Sequence, residues 1–208
     1  MRFIIIAFLS FTCTVQADIV AHYKIGKETL TLSYRDDQHI RVDRGQLGYS
    51  IINGDQAIIV LNQGGGRIVM NVDDIGRMIN DLQGSQAPAI PHPSTVSLIL
   101  TNKFSDVAGI KGRVYTASDA RSTFLAVLTD NPSVKEASKG LRLFFRRFAG
   151  AMKNERGERL LSLEKSFQDL ADSGVLQIEG GLKLLSINKR AQPDAFYTPP
   201  PLGIQFPN

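Results

Sequence analysis

The fold is decided between residues 28 and 72, where the chain reads ETLTLSY (28–34), QHIRVD (38–43), LGYSII (47–52), QAIIVL (56–61) and RIVMNV (67–72). Apolar and polar residues alternate in most of these segments, and turn-forming residues separate them. Alternation with a period of two, interrupted by turns, is typical of short antiparallel strands that bury one face. The stretch therefore predicts a β-meander around which the rest of the chain is organised.

The first 17 residues have the three parts of a secretory signal peptide. A positive charge at Arg2 precedes an apolar run at residues 3–11, and Val15-Gln16-Ala17 forms a small-residue cleavage motif. We expect cleavage after Ala17, which removes Cys13, the only cysteine, and lowers the formal charge from +4 to +3 because Arg2 is lost. Lipidation of Cys13 is the alternative, but the residues before it match that signal poorly.

The leader predicts export to the periplasm, which excludes nucleic acid as a partner. A positive chain in that compartment is attracted to the anionic surfaces of the envelope. After cleavage the chain is still long enough to bury a core without disulfides. We expect one domain over residues 18–190 and a proline-rich tail over residues 191–208, either extended or disordered.

Further strands and helices follow from the same kind of pattern. Asn53-Gly54 predicts a type I′ hairpin turn, and Asp73-Asp74 predicts the start of a short helix that leads to a proline-rich loop at residues 85–94. Additional strands are predicted at 18–25, 95–104, 110–116, 123–128, 175–178 and 182–188.

After Pro132 the apolar period changes from 2 to 3.6, which predicts two amphipathic helices. The first has an apolar stripe made of Val134, Ala137, Leu141, Phe144, Phe145, Phe148 and Met152. The second has a stripe made of Leu160, Leu163, Phe167, Leu170 and Ala171. We expect both helices to pack on the inner face of the sheet, which gives an α+β fold.

The residue types that carry catalysis do not form a recognisable set. His22, His39 and His92 do not share metal-ligand spacing, and the Asp36-Asp37 and Asp73-Asp74 pairs are typical of turns and helix caps. We therefore predict no catalytic residue, no metal and no cofactor, and we expect that the protein is not an enzyme. An uncharacterised enzyme remains the third alternative for its function.

The first long helix carries cations beside its apolar stripe. Such a flank can contact an anionic membrane surface, or it can be the solvated side of a helix that packs on the core. The predicted membrane-contact residues are Lys135, Lys139, Arg142 and Arg146.

The apolar side chains of the meander allow two interpretations. If the helices pack tightly on the sheet, these side chains form a filled core; if the helices stand off, the same side chains line a cavity for an apolar ligand. Phe144 and Phe148 would then form a movable cover over the ligand. The predicted ligand-binding residues are Leu30, Leu32, Tyr34, Ile40, Val42, Tyr49, Ile51, Ile68, Met70, Phe144 and Phe148.

Six short motifs span most of the chain after the leader, namely IRVD (40–43), NGDQAIIVL (53–61), IVMNVD (68–73), VAGIKGRVY (107–115), LLSIN (184–188) and FYTP (196–199). Together they resemble a family of exported bacterial proteins of unknown function that is related to the lipoprotein-carrier (LolA-like) superfamily. The resemblance implies a curved antiparallel sheet, an incomplete barrel, whose concave face is covered by helices. It also implies a lipid or lipoprotein acyl chain as the ligand in that concavity.

The leading hypothesis is a non-enzymatic periplasmic protein that binds an apolar ligand, a lipid or lipoprotein acyl chain, between sheet and helices. The alternative is a module with a filled core that docks on another envelope protein. The space between the sheet and the helices distinguishes them.

Overall fold

A computed structural model describes residues 17–75, 77, 97–118, 123–151 and 173–206. These residues form twelve β-strands and one long helix, α1 (Pro132–Ala151). The strands are β1 (Asp18–Ile25), β2 (Glu28–Asp36), β3 (His39–Asp43), β4 (Gly48–Asn53), β5 (Gln56–Gln63), β6 (Gly66–Asn71), β7 (Ser97–Val107), β8 (Ile110–Ser118), β9 (Thr123–Thr129), β10 (Gly174–Ile178), β11 (Leu182–Arg190) and β12 (Gly203–Gln205).

All twelve strands belong to one open antiparallel sheet, which confirms the predicted α+β class. Their order across the sheet is β12-β6-β5-β4-β3-β2-β1-β11-β10-β9-β8-β7. The predicted meander forms β2 to β6 as consecutive neighbours. Strand β7 contacts β11 although three strands lie between them, which shows that the sheet curls near its β7 edge.

Two hairpin turns show how well local sequence predicts backbone geometry. Ala108 and Gly109 both have positive φ, 54° and 74°, in the β7–β8 turn. The prediction for Asn53-Gly54 was wrong by one residue. Asn53 pairs with Gln56, so the turn residues are Gly54 and Asp55, and only Gly54 has positive φ. That pattern fits a type II′ turn, which needs glycine only at its first central position.

Helix α1 crosses the inner face of the sheet near one end of the strands. Asn131 accepts hydrogen bonds from the backbone N–H groups of Ser133 and Val134, and so starts the helix. Val134 then packs beside Gly174 of β10, and Gly140 lies against the ring of Tyr34 in β2. The apolar stripe of α1 packs as predicted where the structure describes it: Val134, Ala137, Leu141 and Phe148 are buried, and Phe144 and Phe145 are partly buried against the same core. Met152, the last residue of the predicted stripe, lies outside the described residues.

The tail crosses the opposite, outer face of the sheet. Residues 191–206, here called the C-terminal strap, leave β11, pass over the outer face and end in β12, which pairs with the edge strand β6. Arg41 donates to the carbonyl of Phe196 at 3.1 Å, and Asn53 donates to that of Tyr197 at 3.2 Å. The strap is thus hydrogen-bonded to side chains of the meander.

Three predicted elements cannot be compared with the structure. The short helix after Asp73 is described only at its beginning, while the loop at 85–94 and the second amphipathic helix at 160–171 lie outside the described residues. Within the described part of the chain, no helix is both long and apolar enough to cross a bilayer.

Candidate functional site

The central part of the predicted ligand-binding set forms a packed core. Leu32, Tyr34, Ile40 and Val42 lie side by side on the inner face, and Phe148 of α1 packs on the same cluster. None of the five is more than 5% exposed. Leu30 and Phe144 are partly buried at the margin of this core. Beneath α1 the structure therefore supports the filled-core interpretation.

Tyr49 and Ile51 do not belong to that face, and the prediction that placed them in the cavity was wrong. In the β3–β4 register Tyr49 pairs with Asp43 and Ile51 pairs with Arg41, so both share the outer face with those charged residues. Since facing residues of paired strands point to the same side, the register of this hairpin determines on which face Tyr49 and Ile51 lie. Tyr49 packs with Ile58, Val60 and Val69 in a separate outer cluster, and Ile51 is buried.

Ile68 and Met70 lie on the inner face, but away from α1. Across β5 and β6, Leu61 faces Ile68 and Ile59 faces Met70, and all four side chains are only partly buried. Leu61, Ile68 and Met70 belong to neither core cluster. Leu61 and Ile68 lie near the β5–β6 turn, whereas α1 is anchored at the other end of these strands.

The C-terminal strap extends this row of apolar side chains. In the pairing of β12 with β6, Ile204 lies opposite Ile68 and is therefore on the same face, with 66% of its surface exposed. Phe206, 76% exposed, follows two residues later, and its ring passes beside Gly66. We call Leu61, Ile68, Met70, Ile204 and Phe206 the apolar flank.

A groove of about 610 Å³ adjoins the apolar flank at the β5–β6 turn. It is lined by residues 62–67 together with Gln205 and Phe206. Gly64 and Gly65 both have positive φ in this turn, 59° and 78°, and they have no side chains to fill the groove. The groove and the flank together form an open surface in which apolar side chains border polar backbone.

The predicted membrane-contact residues of α1 are largely engaged within the chain. Lys135 pairs with Asp130 at 3.4 Å, and Lys139 pairs with Asp37 at 2.7 Å. Burial alone would raise the pKa of Asp37, but hydrogen bonds from Lys139 and Tyr34 outweigh it and hold that pKa below its usual range. Arg142 has its Nε buried, and Arg146 is exposed. This side of α1 therefore helps to hold the helix on the sheet.

Arg147 anchors the C-terminal half of α1 to the meander. Its guanidinium donates to both carboxylate oxygens of Asp73 at 2.9 Å and to the backbone carbonyl of Asp55 at 3.1 Å. The hydrogen bonds from Arg147 lower the pKa of Asp73 below its ordinary value of 3.8, although partial desolvation opposes them. The pair ties α1 to the β4–β5 turn and to the end of β6.

Replacing Arg147 with glutamine is expected to lower the free energy of unfolding by less than about 1 kcal/mol, because the ion pair is partly solvated. A carboxylate with a lowered folded-state pKa stabilises the protein above its unfolded-state pKa, and loses that effect as the pH falls through the folded-state value. The difference in the free energy of unfolding between wild type and variant should therefore become smaller below pH 3.8. Urea unfolding at a series of pH values measures it. Arg77→Gln, at an exposed pair with Asp74, is the matched control and should show little change.

A second polar cluster holds the C-terminal strap and was not foreseen from the sequence. The guanidinium of Arg35 donates to Asp18 at 2.9 Å, to Asp194 at 2.6 Å and to the backbone carbonyl of Gln192. The hydroxyl of Tyr197 also donates to Asp18, at 2.9 Å, so burial and this carboxylate raise the pKa of Tyr197. Asp18 and Tyr197 are fully buried, so the centre of this cluster holds the strap on the sheet.

The histidines are engaged in ordinary local contacts where the structure describes them. His22 Nδ1 lies 2.9 Å from the hydroxyl of Thr31, and His39 Nδ1 lies 2.9 Å from a carboxylate oxygen of Asp36. His92 lies outside the described residues. Across the described ranges, no group of three His, Cys, Asp or Glu side chains is placed to hold a metal ion.

No family model, curated protein or solved structure matches this chain.

Proposed function

We propose that this protein is a non-enzymatic carrier or receptor for an apolar ligand, a lipid or lipoprotein acyl chain, bound on the apolar flank. The observation that carries the proposal is the row formed by Leu61, Ile68 and Ile204 across three neighbouring strands. These side chains share the inner face, lie beyond the core under α1 and remain accessible. The apolar-ligand hypothesis thus moves from the centre of the inner face to its β5–β6–β12 edge.

An acyl chain would gain affinity there mainly by removing apolar surface from water. Burial of an isoleucine side chain contributes about 1.5 to 3 kcal/mol when it is complete, and Ile204 still has 66% of its surface to bury. The adjoining groove could receive the polar head of the ligand through the backbone of the glycine turn.

The predicted export fits this function and belongs to the same proposal. Strand β1 begins at Asp18, directly after the expected cleavage site. We propose that the protein acts in the periplasm, where lipids and lipoproteins in transit need shielding of their acyl chains.

The test is ligand binding by the exported protein. Native mass spectrometry should detect co-purified lipid, and a fluorescent fatty acid should bind and be displaced by unlabelled fatty acid. Changing Ile68 and Ile204 together to aspartate is expected to weaken binding about tenfold or more, because two buried apolar contacts become charged. Leu47→Asp, at a side chain 53% exposed on a 3-10 turn, is the control and should bind normally.

Unchanged binding by the aspartate variant would show that the ligand binds elsewhere. The second candidate function, docking on an envelope protein, is favoured by the exposure of Leu202, Ile204 and Phe206 on the strap. It predicts that a protein crosslinks to the wild type and not to the aspartate variant, while neither carries lipid.

A further inference from the structure

The hairpin formed by β7 and β8, residues 97–118, lies at the sheet edge opposite to β12 and leaves large apolar side chains in solvent. Ile99, Leu100 and Phe104 are 64%, 49% and 60% exposed. Apolar side chains exposed together on one element mark an interaction surface more often than isolated ones do. This hairpin is separate from the apolar flank, since ten strands lie between β7 and β12.

The same hairpin carries cations that no acid of the described residues neutralises. Lys103, Lys111 and Arg113 are exposed, and Asp106 is the only acid in the hairpin. Asp106 faces Lys111 in the strand register, but no ion pair joins them. The ammonium of Lys111 instead lies 4.7 Å from the centroid of the Phe104 ring. Charge and apolar surface are therefore adjacent.

A groove of about 330 Å³ brings these groups together beside the start of α1. Phe104, Lys111, Arg113 and Tyr115 line it, so it presents two cations next to two aromatic rings. Asp130 also lines the groove, but its carboxylate pairs with Lys135 at 3.4 Å. The groove thus has net positive character and an apolar rim.

The outer edge of β7 is poorly suited to pairing with a strand of a second molecule. Its register with β8 shifts between Leu100 and Phe104, so residues 101–103 bulge from the ladder. Thr101 holds the bulge by donating to the carbonyl of Val114 at 2.7 Å, and Lys103 is exposed on it. A bulge and an edge lysine are features that discourage strand addition. Whatever binds this hairpin must therefore be recognised through the exposed side chains and their positive charge, and not through backbone pairing.

We propose that the β7–β8 hairpin docks this protein on the surface of an anionic bilayer. Phe104 and Leu100, which lie on the same face of the hairpin as Lys111 and Arg113, would enter the interfacial region, while Lys103, Lys111 and Arg113 would contact anionic headgroups. Surface binding of this kind combines buried apolar area with attraction to anionic lipid. The docking surface thus lies on the hairpin, whereas the predicted site on α1 has lysines that pair within the chain.

The experiment is sedimentation of the full exported chain with vesicles of phosphatidylcholine alone or mixed with phosphatidylglycerol. Binding is expected only to the mixed vesicles, and it should weaken as salt rises. Changing Lys111 and Arg113 together to glutamate should reduce binding more than about tenfold, since each surface cation contributes about fivefold. Phe104→Ser, which removes no charge, should also reduce it. Exposed Lys24 and Lys189, changed together to glutamate, form the matched control and should bind as wild type.

Three outcomes would overturn the proposal. If the Lys24 and Lys189 control lost as much vesicle binding as the Lys111 and Arg113 variant, binding would depend only on net charge. Competition by inorganic phosphate beyond that of sodium chloride at equal ionic strength would identify the groove as a site for free phosphate. Self-association that Phe104→Ser abolishes, without vesicle binding, would identify the hairpin as an interface between copies. None of these readouts uses the acyl-chain assay, so failure here leaves the proposed function intact.

Discussion

Replacing Arg35 with methionine is expected to lower the free energy of unfolding by about 2 kcal/mol, because the substitution removes the guanidinium that donates to the buried carboxylate of Asp18. Asp18 is fully buried, and Arg35 is its closest charged partner, at 2.9 Å. The same guanidinium also holds Asp194 and the carbonyl of Gln192 on the C-terminal strap. Urea unfolding at neutral pH measures the loss.

The Arg35→Met variant should also release the C-terminal strap. Lys189 and Arg190 precede the strap directly, so trypsin should cut there faster in the variant than in the wild type. Adding Asp18→Asn should recover part of the stability, since it removes the unpaired charge. Arg113→Met, at an exposed position, is the control and should leave unfolding unchanged. Equal stability of Arg35→Met and Arg113→Met would contradict the role of this cluster.

Release of the strap has a functional consequence if the proposed function is correct. Ile204 and Phe206 belong to the strap, and their position on the inner face depends on the pairing of β12 with β6. Arg35→Met should therefore weaken acyl-chain binding although Arg35 lies on the outer face of the sheet. Ligand added in excess should restore part of the stability, because binding to the folded state alone shifts the unfolding equilibrium.

Changing Gly140 to alanine is expected to destabilise the protein by about 2 kcal/mol, although alanine is normally better than glycine in a helix by about 1 kcal/mol. A Cβ at residue 140 would lie 2.5 Å from Cδ2 and 2.8 Å from Cγ of Tyr34. Tyr34 cannot move aside easily, since its hydroxyl donates to Asp37 at 2.5 Å and Asp37 also pairs with Lys139. Burial and the bond to Asp37 raise the pKa of Tyr34, so the hydroxyl stays protonated.

The sign of the stability change in Gly140→Ala shows whether α1 packs closely on the sheet. Gly181→Ala is the matched control, because a Cβ there would have its nearest neighbour at 3.6 Å. It should change the urea midpoint little, whereas Gly140→Ala should lower it. A stabilised Gly140→Ala variant would show that α1 stands off the sheet, and would revive the cavity beneath it that the sequence left open.

Much of the local structure could be predicted from the sequence, because the signals are themselves local. Alternation located the strands of the meander, and the 3.6-residue stripe located α1 together with the side chains that it buries. The turn after Asn53 moved by one residue because strand pairing determined its central positions.

The candidate site could be predicted only in part, because it depends on partners far apart in the chain. Alternation grouped Ile68 with Met70 correctly, but it could not assign Tyr49 and Ile51 to the outer face without the β3–β4 register. Lys139 of α1 could not be recognised as ion-paired, because its partner is Asp37 in a distant hairpin.

The sequence by itself determined the main elements of this protein, an antiparallel meander and a long amphipathic helix, since each depends on residues a few positions apart. Only the tertiary structure decided how the two faces of the sheet are used. It packed the centre of the inner face against α1 and brought Asp18, Arg35 and Tyr197 together across as many as 179 positions. It also placed Ile204 beside Ile68. These contacts depend on strand register and on the path of the strap, and neither leaves a periodic signal in the chain.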